Sequence, residues 1–142
     1  MALLGKKQKK ILLIEDEKIL QDMYAAKLQH AGFEIVTAFT SEEGFQVAKK
    51  QKPDLILLDI ILQDENGLTF LWKRQDDPKL AKTPVIVFSN YENQKTKEEA
   101  FRLGALEYLL KTEHTPNEVI QKIQTYLADS KSKKSWQKRS MG

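Results

Sequence analysis

An α/β fold built on a parallel sheet is what this 142-residue sequence predicts. Three observations carry the prediction. Five short apolar runs alternate with stretches of helical periodicity from one end to the other, which implies strand, helix, strand in succession. The run Leu55-Ile56-Leu57-Leu58 follows Pro53 and drives straight into Asp59, as a strand buried on both faces and surfacing at one edge would. The length suits one domain with a substantial core and no internal repeat is visible.

In chain order, Ile11 to Ile14 reads as the first strand. Leu20, Tyr24 and Leu28 recur every fourth residue and line one face of a first helix ending near Gly32. Phe33 to Phe39 is the second strand. Thr40 stands three residues before Glu43, a capping box that opens a second helix running toward Lys50, and Pro53 restarts the chain extended. Leu55 to Leu58 is the third strand. A polar loop, Gln63 to Gly67, leads into a third helix that Pro78 stops. Its apolar stripe is imperfect: Leu68, Leu71 and Trp72 share one line and Phe70 and Arg74 another, so either Arg74 snorkels from a partly buried place or Trp72 is exposed. Val85 to Phe88 is the fourth strand, Thr96 to Leu103 a fourth helix ended by Gly104, and Ala105 to Leu110 the fifth strand. Thr115-Pro116-Asn117-Glu118 caps a fifth helix whose buried stripe is Val119, Ile120, Ile123 and Leu127.

The composition, 41% hydrophobic and 30% charged, is ordinary for a soluble globular chain. No apolar run is long enough for a membrane span or, at the amino terminus, for a secretory signal. With no cysteine, disulfides and thiolate metal sites are excluded, and a cytoplasmic location is the default expectation. The net charge of +3 is unevenly spread: between Ile11 and Ala128 there are 14 basic and 19 acidic residues, and the other nine basic residues sit at the two ends. The chain therefore divides into a basic amino-terminal segment over 1–9, a domain over 10–128 and a basic tail over 129–142 that reads as disordered. Nothing after Ala128 resembles a helix-turn-helix, so no nucleic-acid-reading element is expected within this chain, and no membrane contact.

Four strands end in polar residues: Glu15-Asp16, Asp59, Ser89 and Lys111. In a parallel sheet these ends meet at one edge, where open α/β folds place their ligands. Carboxylates gathered there repel one another unless a hard cation sits among them, and oxygen-only ligation suits Mg²⁺. Such a cation lets a phosphoryl donor approach Asp59, whose carboxylate attacks phosphorus while the Lys111 ammonium neutralises the phosphoryl oxygens and Ser89 donates its hydroxyl to one of them.

Glu15-Asp16, Asp59, Ser89 and Lys111, each at the end of the expected strand, resemble the response regulator receiver family over roughly Lys10 to Leu127. The resemblance implies a flavodoxin-like (βα)5 three-layer sandwich with strand order 2-1-3-4-5, and phosphorylation of Asp59 by a histidine kinase or phosphotransfer protein in a two-component phosphorelay. It makes Asp16, Asp59 and the backbone carbonyl of Ile61 ligands of Mg²⁺, with Glu15 acting through water. It makes Ser89 and Tyr108 a switching pair, and the face of the fourth helix, fifth strand and fifth helix the route to a downstream protein. A monomer or weak homodimer is expected, acting as a phosphorylation switch and timer and not as a metabolic enzyme.

Three positions depart from the family pattern: Gln63 and Thr112 stand where proline is usual, and Asn90 where alanine or glycine is frequent. A phosphatase of the haloacid dehalogenase type would need a second acid two residues after Asp59, and Ile61 is there. A receiver-like module that binds partners without phosphorylation stays as an alternative, as does the receiver part of a longer regulator whose output domain lies outside this chain. His30 and His114 lack metal-ligand spacing and read as surface residues, and Trp72 and Trp136 are candidate contact aromatics.

Overall fold

The computed structural model describes residues 8–128. The expectations for residues 1–7 of the amino-terminal segment and for the tail 129–142 lie outside the described residues. Ten elements alternate along the chain: β1 (Lys10–Ile14), α1 (Lys18–His30), β2 (Glu34–Ala38), α2 (Ser41–Gln51), β3 (Leu55–Leu58), α3 (Gly67–Gln75), β4 (Val85–Ser89), α4 (Gln94–Arg102), β5 (Glu107–Leu110) and α5 (Pro116–Ala128). All strand pairs are parallel, and the five-stranded sheet has the order β2-β1-β3-β4-β5. The flavodoxin-like topology expected from the sequence is the one observed.

Side chains alternate across a strand, and the core divides accordingly. Leu12, Ile14, Ile56, Leu58, Val85 and Val87 pack on one face of the sheet with Phe70 and Leu71 of α3. Ile11, Leu13, Leu55, Leu57, Ile86 and Phe88 pack on the other with Tyr24 and Leu28 of α1 and Val119, Ile120 and Ile123 of α5. Every residue of β3 is buried, each aliphatic side chain there contributing about 1.5–3 kcal/mol of transfer free energy. The chain leaves β1 toward β2 on one side and returns to β3 on the other. The loops after β1 and β3 therefore diverge, leaving a crevice at the carboxyl edge between them.

Several boundaries differ from the sequence reading. Helix α4 starts at Gln94 because Asn93 caps it, accepting the amide of Thr96 at 3.0 Å. In α1 the buried face is Gln21, Tyr24 and Leu28, with Leu20 half-buried; in α5 Tyr126 takes the buried place expected for Leu127, its hydroxyl bonded to Glu107. The Thr40 cap forms, accepting from the Glu43 amide at 3.0 Å, but the Glu43 carboxylate reaches the amide of Phe39 instead of that of Thr40. The capping box of α5 is complete in both directions. In α3 the second alternative holds: Trp72 is 61% exposed, and Arg74 is buried outright. The Arg74 guanidinium does not snorkel but donates to the carbonyls of Thr83, Ala81 and Leu103.

Candidate phosphoryl-acceptor site

Strand ends bring the predicted residues to one crevice. Glu15 and Asp16 follow β1, Asp59 follows β3, Ser89 ends β4 and Lys111 follows β5. The central feature is Lys111, whose ammonium donates to Asp59 Oδ2 at 2.8 Å and also to Glu15 Oε1. Burial disfavours that ammonium, but the Asp59 and Glu15 carboxylates outweigh it and hold its pKa above the usual lysine value. Glu15, itself buried, is pushed the other way: desolvation raises its pKa despite Lys111 and the amide of Glu17, which donates to Oε2 at 3.0 Å.

Asp59 Oδ1 accepts the amide of Ile61 at 3.1 Å, which fixes the rotamer of the carboxylate. Asp16 is half-buried beside it. One carboxylate oxygen each from Glu15, Asp16 and Asp59 lie within 4.8 Å of one another. Three hard oxygen donors so close fit a small divalent cation such as Mg²⁺, whose charge would offset their repulsion. Asp16, Glu17, Asp59, Ile61, Ser89, Asn90, Tyr91 and Lys111 line an open cleft of about 380 Å³ here. Among the described residues no helix is long and apolar enough to cross a membrane.

The wall of the cleft after β4 is tied down by two hydrogen bonds to one residue. Tyr91 donates its amide to Ser89 Oγ at 3.2 Å and accepts the Tyr108 hydroxyl on its carbonyl at 2.5 Å. Ser89 and Tyr108 are thus both present at the site and joined through Tyr91. Burial first, with the nearby Asp59 and Tyr91 charges, pushes the Tyr108 phenol up to about 12. Gly67, which opens α3, lets that helix approach closely: a Cβ there would stand 2.6 Å from the Asp59 carbonyl oxygen.

Two supports were not read from the sequence. Gln21 is buried and its amide donates to the carbonyls of Glu15 and Ala38, both at 3.0 Å, bracing the loop that carries Glu15 and Asp16. Its spacing to Tyr24 and Leu28 was the available signal, since a polar residue on a buried stripe needs partners. Asp64 caps α2 from the loop after Asp59, accepting from Ser41 and Glu42 at 3.0 and 3.1 Å. No sequence spacing announces that contact. On β5, Glu107 accepts the Tyr126 hydroxyl and is engaged within the fold.

The model of the response regulator receiver domain matches residues 11–124. The transcriptional regulatory protein CrdR of Helicobacter pylori is 36% identical over 104 residues, covering 73% of this chain and 48% of that protein. The polar-differentiation response regulator DivK of Brucella anthropi is 30% identical over 123 residues, covering 86% of this chain and 98% of DivK. The chain thus spans about half the length of CrdR and nearly all of DivK. Among solved structures, a two-component response regulator from Clostridium difficile superposes with a TM-score of 0.79 at 26% identity, over 85% of this chain and 97% of that one. A CheY-like receiver domain protein from Methanospirillum hungatei gives 0.82 at 24% identity, over 89% and 99%, a likeness of fold. Five parallel strands in this order, the carboxylates at their carboxyl edge and these matches lead to one conclusion: the chain belongs to the response regulator receiver domain family.

Proposed function

We propose that the protein is a phospho-acceptor switch of a phosphorelay in which Asp59 receives a phosphoryl group from the phosphohistidine of a histidine kinase or phosphotransfer protein. The observation that carries this reading is the Lys111 bridge to Asp59 and Glu15 inside a cluster of three carboxylates. An Asp59 carboxylate oxygen attacks phosphorus; the P–N bond to the donor imidazole breaks, and the imidazole nitrogen keeps the electron pair. Asp16, Asp59, the Ile61 carbonyl and, through water, Glu15 would hold Mg²⁺. Bound there, the cation supplies the charge neutralisation that admits a phosphoryl dianion among carboxylates.

Lys111, already 2.8 Å from Asp59 Oδ2, is positioned to follow the charge onto a phosphoryl oxygen. The Ser89 hydroxyl accepts from Tyr91, so its own proton is available for another phosphoryl oxygen. Pulling Ser89 toward phosphorus strains its bond to Tyr91 and, through the Tyr91 carbonyl, the anchor of Tyr108. That shifts a two-state equilibrium at the face of α4, β5 and α5, where a downstream protein reads it. Hydrolysis by water reverses the modification, breaking the P–O bond to Asp59, which makes the chain a cytoplasmic timer and not a metabolic enzyme.

Intact mass after incubation with acetyl phosphate and Mg²⁺ tests this. One added phosphoryl group is expected, absent from Asp59→Asn and from a chelated sample. No adduct on a folded protein under any condition would leave only the phosphorylation-independent binding module.

A further inference from the structure

Sharing no lining residue with the acceptor cleft, the layer formed by α2 and α3 carries a second concavity of about 410 Å³. Its floor is apolar: Phe45, Pro78 and the ring of Trp72, a large side chain left 61% exposed. Its walls carry the carboxylates of Glu42, Asp76 and Asp77. The wall ammonium, Lys73, turns to Glu65 at 3.4 Å, and Lys49 lies over the Phe45 ring at 5.4 Å. An exposed indole flanked by carboxylates fits a cationic segment, which gains ion pairs and a cation–π contact.

This chain contains such a segment. Residues 129–142 carry Lys131, Lys133, Lys134, Lys138 and Arg139 against the single acid Asp129, with Trp136 among them, whereas residues 1–7 hold only Lys6 and Lys7. Helix α5 runs antiparallel to the strands, so Ala128 emerges at the amino edge of the sheet, where Asp76, Asp77 and Pro78 also lie ahead of β4. From Ala128 to Trp136 an extended chain reaches roughly 28 Å, against a domain about 35 Å across. A groove this small binds a free peptide weakly, but a tethered one arrives at an effective concentration of about millimolar. We propose that the groove between α2 and α3 is the docking site of the chain's own basic segment, residues 129–142, held by Glu42, Asp76 and the face of Trp72.

With no native cysteine, Ser135→Cys gives a single site for a nitroxide in the full chain. At about 50 mM salt the Trp72 indole and the Asp76 amide should lose roughly half or more of their NMR intensity relative to the reduced label, recovering at about 0.5 M as screening grows. Glu42→Gln combined with Asp76→Asn, both exposed positions, should abolish the loss. Full intensity at low salt overturns the proposal, as does equal loss at Ile19 and Glu118 on the opposite layer. The same loss in a mixture of nitroxide-bearing chains and separate ¹⁵N chains overturns it too, and assigns the groove to a second copy.

Discussion

Tyr108 donates its phenolic proton to the backbone carbonyl of Tyr91 at 2.5 Å, and so ties β5 to the loop that follows β4. Ser89 accepts the amide of the same residue. The peptide groups flanking Tyr91 therefore couple the two positions expected to switch, although Ser89 and Tyr108 do not bond each other directly.

Removing the hydroxyl with Tyr108→Phe leaves that part-buried carbonyl without its donor, a loss of about 1 kcal/mol of stability. The difference should depend on pH. The folded phenol titrates near 12, above its ordinary value of 10. The unfolded chain thus loses this proton first, and the contribution of Tyr108 to stability falls as pH rises between those values. Denaturant unfolding at about pH 9 and about pH 11.5 should show the gap between wild type and variant narrowing. A constant gap would mean that Tyr108 ionises as freely in the folded state as in the unfolded one.

The three carboxylates at the crevice predict a cation-dependent melting temperature. A cation that binds only the folded state, present at ten times its Kd, stabilises by about 1.4 kcal/mol, or ~5 °C in a domain of this size. Asp16 stands outside the Lys111 bridge, so Asp16→Asn should keep the metal-free stability near wild type while shifting the Mg²⁺ titration to higher concentration. An unchanged titration in the variant would place the cation elsewhere.

Much of this was legible in the residues. The strand ends were readable because buried parallel strands are continuous apolar runs, and a charged residue marks where each surfaces: Asp59 after Leu58 and Lys111 after Leu110 follow that rule. Contacts between distant loops were not, because no period links them. Asp64 reaches back 23 residues to Ser41, and Tyr108 reaches Tyr91 across the gap between β4 and β5. Arg74 lies between the two cases. Its place on a buried line was visible, but its partners are carbonyls of Thr83, Ala81 and Leu103, which carry no side-chain signal.

Those carbonyls make Arg74 a clamp between α3, the segment before β4 and the end of α4. Burial pushes its pKa down to about 10, so it stays charged at neutral pH without a carboxylate partner among the described residues. Arg74→Met strands three acceptors and should cost about 3 kcal/mol. Arg74→Lys should recover only part, since an ammonium cannot fork to three carbonyls. Gly104 has a φ of +103° and a Cβ there would lie 3.2 Å from Arg74 Nη1. Gly104→Ala should therefore destabilise as well. Urea midpoints rank the three, and a lysine variant equal to wild type would remove the forked geometry from the argument.

Asp64 gives a prediction on the loop that carries the acceptor. Its carboxylate accepts from the first two amides of α2, Ser41 and Glu42, so Asp64→Ala should cost about 1 kcal/mol, as loss of a helix cap does. Slight burial raises its pKa, but the amides of Ser41, Glu42, Asp64 and Glu65 outweigh it and hold the carboxyl below the usual aspartate range. A carboxylate whose pKa is lowered on folding contributes stability above its unfolded pKa and loses it as pH falls through the folded one. The stability difference between wild type and Asp64→Ala should therefore be full at neutral pH and shrink as the pH falls through the lowered folded-state pKa. Releasing the clamp also frees the loop five residues after Asp59 from α2, so amide exchange at Ile61 and Leu62 should quicken in the variant at neutral pH while that of β3 does not. Unchanged exchange in that loop would show that its own contacts, such as the pairing of Ile61 with Asn66, hold it without Asp64.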